Sequence, residues 1–99
     1  MLLIMGTVRL PAGGLDRARA AMEKMVTASR AEDGCLTYAY GQDVLDPTLI
    51  HIVERWHDRE ALRAHAVSAH MAEWRAAGGD LGLHDRDLKL YDADEGTPL

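Results

Sequence analysis

Leu2, Ile4 and Val8 alternate with Leu3, Met5 and Thr7 along the first ten residues, a period of two that predicts a strand with both faces largely apolar. Pro11, Gly13 and Gly14 end it. Leu15, Ala18, Met22, Met25, Val26 and Ser29 then recur at helical spacing, opposite Asp16, Arg17, Glu23, Lys24 and Arg30, so an amphipathic helix follows and stops near Gly34. Period two returns over residues 35–43, with Leu36, Tyr38 and Tyr40 facing one way and Thr37 and Ala39 the other. Asp46-Pro47 reads as a turn, because a residue before proline is pushed out of the helical region and Asp favours turns. Residues 49–56 form a third strand, with Ile50, Ile52, Glu54 and Trp56 on one face and Leu49, His51, Val53 and Arg55 on the other. Asp58 is a good N-cap, and the helix it starts runs towards Ala66. Ser68 caps a second helical piece expected to end at Gly78-Gly79. Over residues 84–91, Leu88 and Leu90 alternate with Asp87, Lys89 and Tyr91, giving a last strand.

The order β-α-β-β-α-β predicts a ferredoxin-like α+β fold, a four-stranded antiparallel sheet with its helices on one face. A single domain is expected over residues 1–92, with a polar tail over 93–99. The other sheet face is left bare. Covering ~800 Å² of such a face on each of two partners contributes on the order of 20 kcal/mol before association costs, so a homodimer formed sheet against sheet is expected.

Composition narrows the partners. With 99 residues, the chain buries only about 60 to 65% of its unfolded surface by itself. A formal charge of -5 leaves no basic stripe for phosphates, which argues against nucleic acid and against an anionic membrane surface. Cys35 is the single cysteine, so no intrachain disulfide forms. Neither a signal peptide nor an apolar run near ~20 residues is present, and a cytoplasmic location is expected.

Three of the five histidines and both tryptophans fall between Glu54 and Trp74. Zinc on a helix usually needs histidines at i and i+4, or a Cys/His set, and neither spacing occurs, so no metal is expected. His65 and His70 are five apart, roughly 140° around an unbroken helix. A break at Val67-Ser68 would let both flank a corner and look beneath the helices toward the sheet. A histidine in a helix's first turn tends to stay neutral, which suits a proton acceptor. The plain reading is that both are helix histidines bonded to nearby backbone, and for His51, His57 and His84 that reading is the stronger one. Glu54, on the apolar face of its strand, needs either a structural partner such as Arg9 or a Tyr hydroxyl, or a pocket in which desolvation raises its pKa. Trp56, Trp74, Tyr38 and Tyr40 are core aromatics on the simplest reading. The absence of Phe puts hydroxyls in that core, however, and points to a lined cavity.

Glu32-Asp33-Gly34-Cys35-Leu36-Thr37-Tyr38, Asp46-Pro47, Glu54-Arg55-Trp56, and Leu62-Arg63-Ala64-His65 followed by His70-Met71 together resemble the antibiotic biosynthesis monooxygenase family, especially its quinol-monooxygenase-like branch. The resemblance covers essentially the whole chain. It implies a dimeric α+β barrel and an enzyme that oxidises a small phenolic or hydroquinone substrate with O2, needing neither metal nor flavin. A deprotonated electron-rich ring can itself reduce O2, so the protein must supply a dry pocket, a base and oxyanion stabilisation. On this resemblance His65 is the base or hydrogen-bond partner and His70 assists, while Glu54, Trp56, Tyr40, Tyr38 and Trp74 line or orient the pocket. Haem-degrading relatives rely on a strand-one Asn and a helical Trp. Val8 and His65 stand at those positions here, so haem degradation is not expected. Two alternatives remain open: an isomerase of a small phosphorylated hydroxy-dione, for which the helical corner offers only Arg59, Arg63 and Arg75, and a small-ligand-binding or stress-associated dimer without turnover.

Overall fold

The computed structural model describes all 99 residues. Its elements are β1 (Leu2–Arg9), α1 (Gly14–Arg30), β2 (Cys35–Gln42), β3 (Leu49–Trp56), α2 (Arg59–Ala66), α3 (Ala69–Leu81) and β4 (His84–Asp92). The four strands form one antiparallel sheet in the order β2-β3-β1-β4, the ferredoxin-like α+β fold. The apolar alternation of β1 and β3 is used as the pattern predicts. Leu2, Val8, Tyr38, Ile50, Ile52 and Trp56 are buried, and Ala18, Met22 and Met25 of α1 are buried with them.

The second helical region is broken by capping. Asp58 accepts the Ala61 backbone N–H at 2.8 Å, which starts α2. Ser68 accepts the Met71 N–H at 3.3 Å, which starts α3 two residues after α2 ends. A side-chain oxygen satisfies helix-start donors that have no intrahelical partner, so each cap sets a new helix axis. That produces the corner between His65 and His70.

Two details differ from the periodic reading. α3 runs through Gly78 and Gly79 to Leu81, and the cap is Gly82, at φ 75. Gly78 is buried instead, and a Cβ there would lie 3.2 Å from Leu83, so it is a packing glycine and not a stop. On β2 the pairing register shifts between Cys35 and Thr37. The irregularity takes Leu36 out of the face it was expected to share with Tyr38 and Tyr40, and it is 47% exposed.

The sheet face away from the helices is uncovered, with Met5 46% and Tyr91 47% exposed. No helix is long and apolar enough to cross a membrane.

Candidate functional site

A cavity of about 320 Å³ lies between the sheet and the second helical region. Ile4, Val8, Ile52 and Leu88 form its apolar floor, and Leu62, Met71 and Trp74 cover it. Tyr38, Tyr40, Glu54 and His65 bring polar atoms to the wall, and Arg75, His84 and Arg86 stand at an exposed rim. The strand register explains why these groups converge. Glu54 of β3 lies opposite Ile4 of β1 and Tyr38 of β2, and Tyr40 lies opposite Ile52, so all five share the helix-facing side of the sheet.

His65 is 3% exposed. Its Nδ1 lies 2.9 Å from Glu32 Oε1. A carboxylate only accepts, so the ring proton sits on Nδ1 and Nε2 is left as a bare lone pair, a tautomer assigned from this network. Nε2 has no protein partner, yet it is not sealed off from solvent-sized space, and the cavity is what it meets. His70 Nε2 also donates to Glu32 Oε1. Ser68 Oγ, 3.2 Å from His70 Nε2, in turn donates to the His65 carbonyl at 2.7 Å. Glu32 is thus a clamp between two imidazoles. It reaches them because Gly34, at φ 80, turns the chain so close to α2 that a Cβ there would stand 2.6 Å from Ala61 Cβ.

The two histidines were expected to overlook one chamber, and they do not. His70 stands behind His65, beside a separate cleft bordered by Lys24, Met25, Glu73 and Trp74. Trp56 is likewise not in the wall but beneath it. It is fully buried, with its ring centroid 4.5 Å from that of His65 and its indole N–H donating to Glu54 Oε1 at 3.0 Å. The expected partner of Glu54, Arg9, is engaged elsewhere, donating to Asp46 at 2.9 Å and Thr48 at 3.1 Å. Glu32 was missed as a site residue, although it opens the quoted Glu-x-Gly-Cys motif. A contact across 33 positions leaves no trace in local spacing.

Burial decides the electrostatics. Glu54 is 6% exposed, and desolvation pushes its carboxyl above the usual range, more than the Trp56 hydrogen bond and the nearby His65 pull it down. Burial also pushes the phenols of Tyr38 and Tyr40 up, so both stay neutral hydroxyls. The Tyr38 hydroxyl is buried without a partner. Its ring stacks on Tyr40 with centroids 5.8 Å apart, and Tyr40 meets Trp74 edge-on at 6.1 Å.

Glu32 Oε1, His65 Nδ1 and His70 Nε2 all lie within 4.8 Å of one another. Two imidazoles and a carboxylate suit a divalent cation, and the helical i and i+4 rule does not reach this set because Glu32 comes from the turn after α1. In the structure the same atoms are joined by hydrogen bonds, with Glu32 accepting from both rings.

Residues 1–77 match the model of the antibiotic biosynthesis monooxygenase family. A candidate monooxygenase of Mycobacterium tuberculosis is 38% identical over 63 residues, which are 64% of this chain and 61% of that protein. An uncharacterized Synechocystis protein is 22% identical over 90 residues, 91% of this chain and 61% of that protein. The chain therefore spans about three fifths of the length of the curated relatives it matches. Among solved structures, a candidate antibiotic biosynthesis monooxygenase from Deinococcus radiodurans superposes with a TM-score of 0.90 at 26% identity, covering 100% of this chain and 98% of that one. The Mycobacterium tuberculosis protein superposes with a TM-score of 0.78 at 26% identity, covering 97% and 98%.

Proposed function

Because the chain belongs to the antibiotic biosynthesis monooxygenase family, we propose that it is a monooxygenase that oxidises a small phenolic or hydroquinone substrate with O2 and uses neither metal nor flavin. One observation carries this reading: an imidazole locked by a carboxylate, its Nε2 without a protein partner, in the wall of a mainly apolar cavity. His65 Nε2 takes the hydroxyl proton of the bound substrate, and Glu32 holds the ring and balances the imidazolium that forms, as a carboxylate does behind a catalytic histidine. Glu54, on the cavity wall and tied by one oxygen to the Trp56 indole, orients the bound ring through its second oxygen. The apolar floor keeps water from the electron-rich anion.

The anion then reduces O2 within the cavity. For a hydroquinone, one oxygen atom enters the ring, the other leaves as water, and the product is a hydroxyquinone. The substrate supplies all four electrons, so no external reductant is needed. The working unit is a homodimer in which a second copy covers the uncovered sheet face around Met5 and Tyr91. A size measurement in solution checks the dimer.

The test is oxygen uptake across a panel of hydroquinones and naphthols, with chelator present and no added cofactor. Uptake above autoxidation, with an atom from labelled O2 in the product, is the expected result, and His65→Ala removes it. If no panel member is consumed faster than without protein, the reading is wrong. A second reading gains from the cationic rim: isomerisation of a phosphorylated hydroxy-dione, with His65 and Glu54 exchanging the proton. Conversion of such a dione without oxygen uptake distinguishes it.

A further inference from the structure

The cavity is chemically polarised along its length. Glu54 and His65 mark one end, and Glu54 lies on the row of Ile4. At the other end β4 pairs His84 with Arg9 and Asp87 with Thr7, so Asp85 and Arg86 together oppose Val8. That is two residues against one, a β-bulge, and bulges beside sites serve to re-aim a side chain. Asp85 takes the bend at φ 50, the chain's one positive-φ residue that is not glycine. Asp tolerates that conformation at a cost. Beyond the bulge, ordinary alternation along β4 sorts the charge, Arg86 sharing the face of Leu88. Arg86 enters the cavity wall, whereas Asp87 is turned to the opposite face beside Met5 and Thr7.

Arg86 has no carboxylate partner in the chain; the Arg and Lys ion pairs are those of Arg9, Lys24 and Arg59. Arg75 donates only to the Ala66 carbonyl at 2.6 Å, and His84 Nδ1 lies 2.8 Å from the Gly82 carbonyl, leaving its Nε2 unused. Arg75 is thus held against Ala66, beside His65, and the far end of the cavity is rimmed by two cation-capable groups of β4, in a chain of net charge -5. From the row of Ile4 to that of Val8 is about 13 Å along the strand at 3.3 Å per residue, and Arg86 reaches back far enough for its charge to act on Glu54 and Tyr40, so a one- or two-ring aromatic spans the two ends.

We propose that this rim is an anion subsite and that the substrate is a hydroxyaromatic carrying a carboxylate-type group, held by Arg86 with His84, with its reacting hydroxyl at His65. The inference rests on the cavity being the substrate site. A planar guanidinium fits a carboxylate in a two-pronged contact, and a local positive field in an acidic protein draws such an anion in. The second oxygen of Glu54 and the apolar floor are left to the ring.

The test compares 1,4-dihydroxy-2-naphthoate with 1,4-dihydroxynaphthalene by oxygen uptake, and 2-naphthoate with naphthalene by quenching of tryptophan fluorescence. The expected result is a kcat/KM ratio favouring the carboxylate by about tenfold or more, reduced by salt and lost in Arg86→Gln. Arg63→Gln, which removes the same charge from the exposed face of α2, keeps the ratio. Equal kcat/KM for the two substrates, or the same loss in Arg63→Gln, overturns the subsite. Arg86-dependent binding of 2-naphthoate without turnover of either diol upholds the subsite and overturns the monooxygenase reading. Turnover without carboxylate preference does the reverse, and neither binding nor turnover overturns both.

Discussion

Two of the histidine–carboxylate pairs near β3 do opposite things. At the turn before the strand, His51 Nε2 lies 2.7 Å from Asp43, whose other oxygen accepts the Leu45 and Asp46 N–H groups at 2.9 Å each. Asp46 in turn holds Arg9 and Thr48. At the far end, His65 lies 2.9 Å from Glu32. The first pair is open to water, with the His51 side chain 51% exposed, and the second is closed, with that of His65 at 4%. In the turn, one oxygen of each carboxylate holds backbone N–H groups and the other holds a side chain. In the cavity, Glu32 ties down one nitrogen of His65 and leaves the other unclaimed in a mainly apolar wall. A hydrogen-bonded histidine is therefore structural or chemical according to what its second nitrogen faces.

Mutations separate the pairs most sharply at the bases themselves. His65→Ala lowers kcat for a hydroquinone by about 100- to 10,000-fold, the usual worth of a positioned general base, while His51→Ala leaves kcat within about twofold. Steady-state oxygen uptake checks both; a large loss in His51→Ala would erase the distinction. Next in size is Glu32→Gln. It keeps the shape and removes the charge behind the base, lowering kcat by about 10- to 100-fold with a smaller change in KM. Asp43→Asn, the counterpart in the turn, leaves both unchanged. An effect of Glu32→Gln confined to KM would mean that Glu32 shapes the pocket and does not support the base.

Gly34→Ala comes third and acts through the backbone. Ala at φ 80 costs about 1–2 kcal/mol for the left-handed conformation, and the clash with Ala61 adds to it. Denaturant titration should show a loss of about 2 kcal/mol or more. Activity should fall beyond that, because the same turn carries Glu32 to His65. Full activity in the folded fraction would show that the clamp tolerates a displaced turn.

The sequence reading succeeds where a signal is local. The six-element order follows from apolar alternation, and the corner follows from Asp58 and Ser68, because a cap is a short-range hydrogen bond. It fails where tertiary packing overrides a local rule. Gly78 resembles a helix stop but is a point of close packing against Leu83. Leu36 and Arg86 each sit at a break in strand pairing, and a bulge of one residue leaves no mark on periodicity. Glu32 joins the site only through the fold. The link between Glu54 and Trp56 was within reach, since residues i and i+2 share a strand face, but Arg9 appeared an equally good partner until the turn claimed it.

The smallest effects are those of pH on stability, and there the two ends of β3 run in opposite directions. Asp46 has its carboxyl lowered to about 2, chiefly by Arg9 and then by Thr48. Its contribution is therefore present above the ordinary carboxylate range and fades as pH falls toward about 2. Glu54 is raised by burial, so the folded state binds that proton more tightly than the unfolded chain does. Its contribution is full below the ordinary glutamate range and is lost as pH climbs through the raised value. Denaturation midpoints measured between about pH 3 and pH 8 should fall off at both flanks in the native protein. Glu54→Gln should flatten only the upper flank and Asp46→Asn only the lower one. An unchanged upper slope in Glu54→Gln would mean that the carboxyl finds enough water in the cavity to ionise freely, and burial would no longer set its proton affinity.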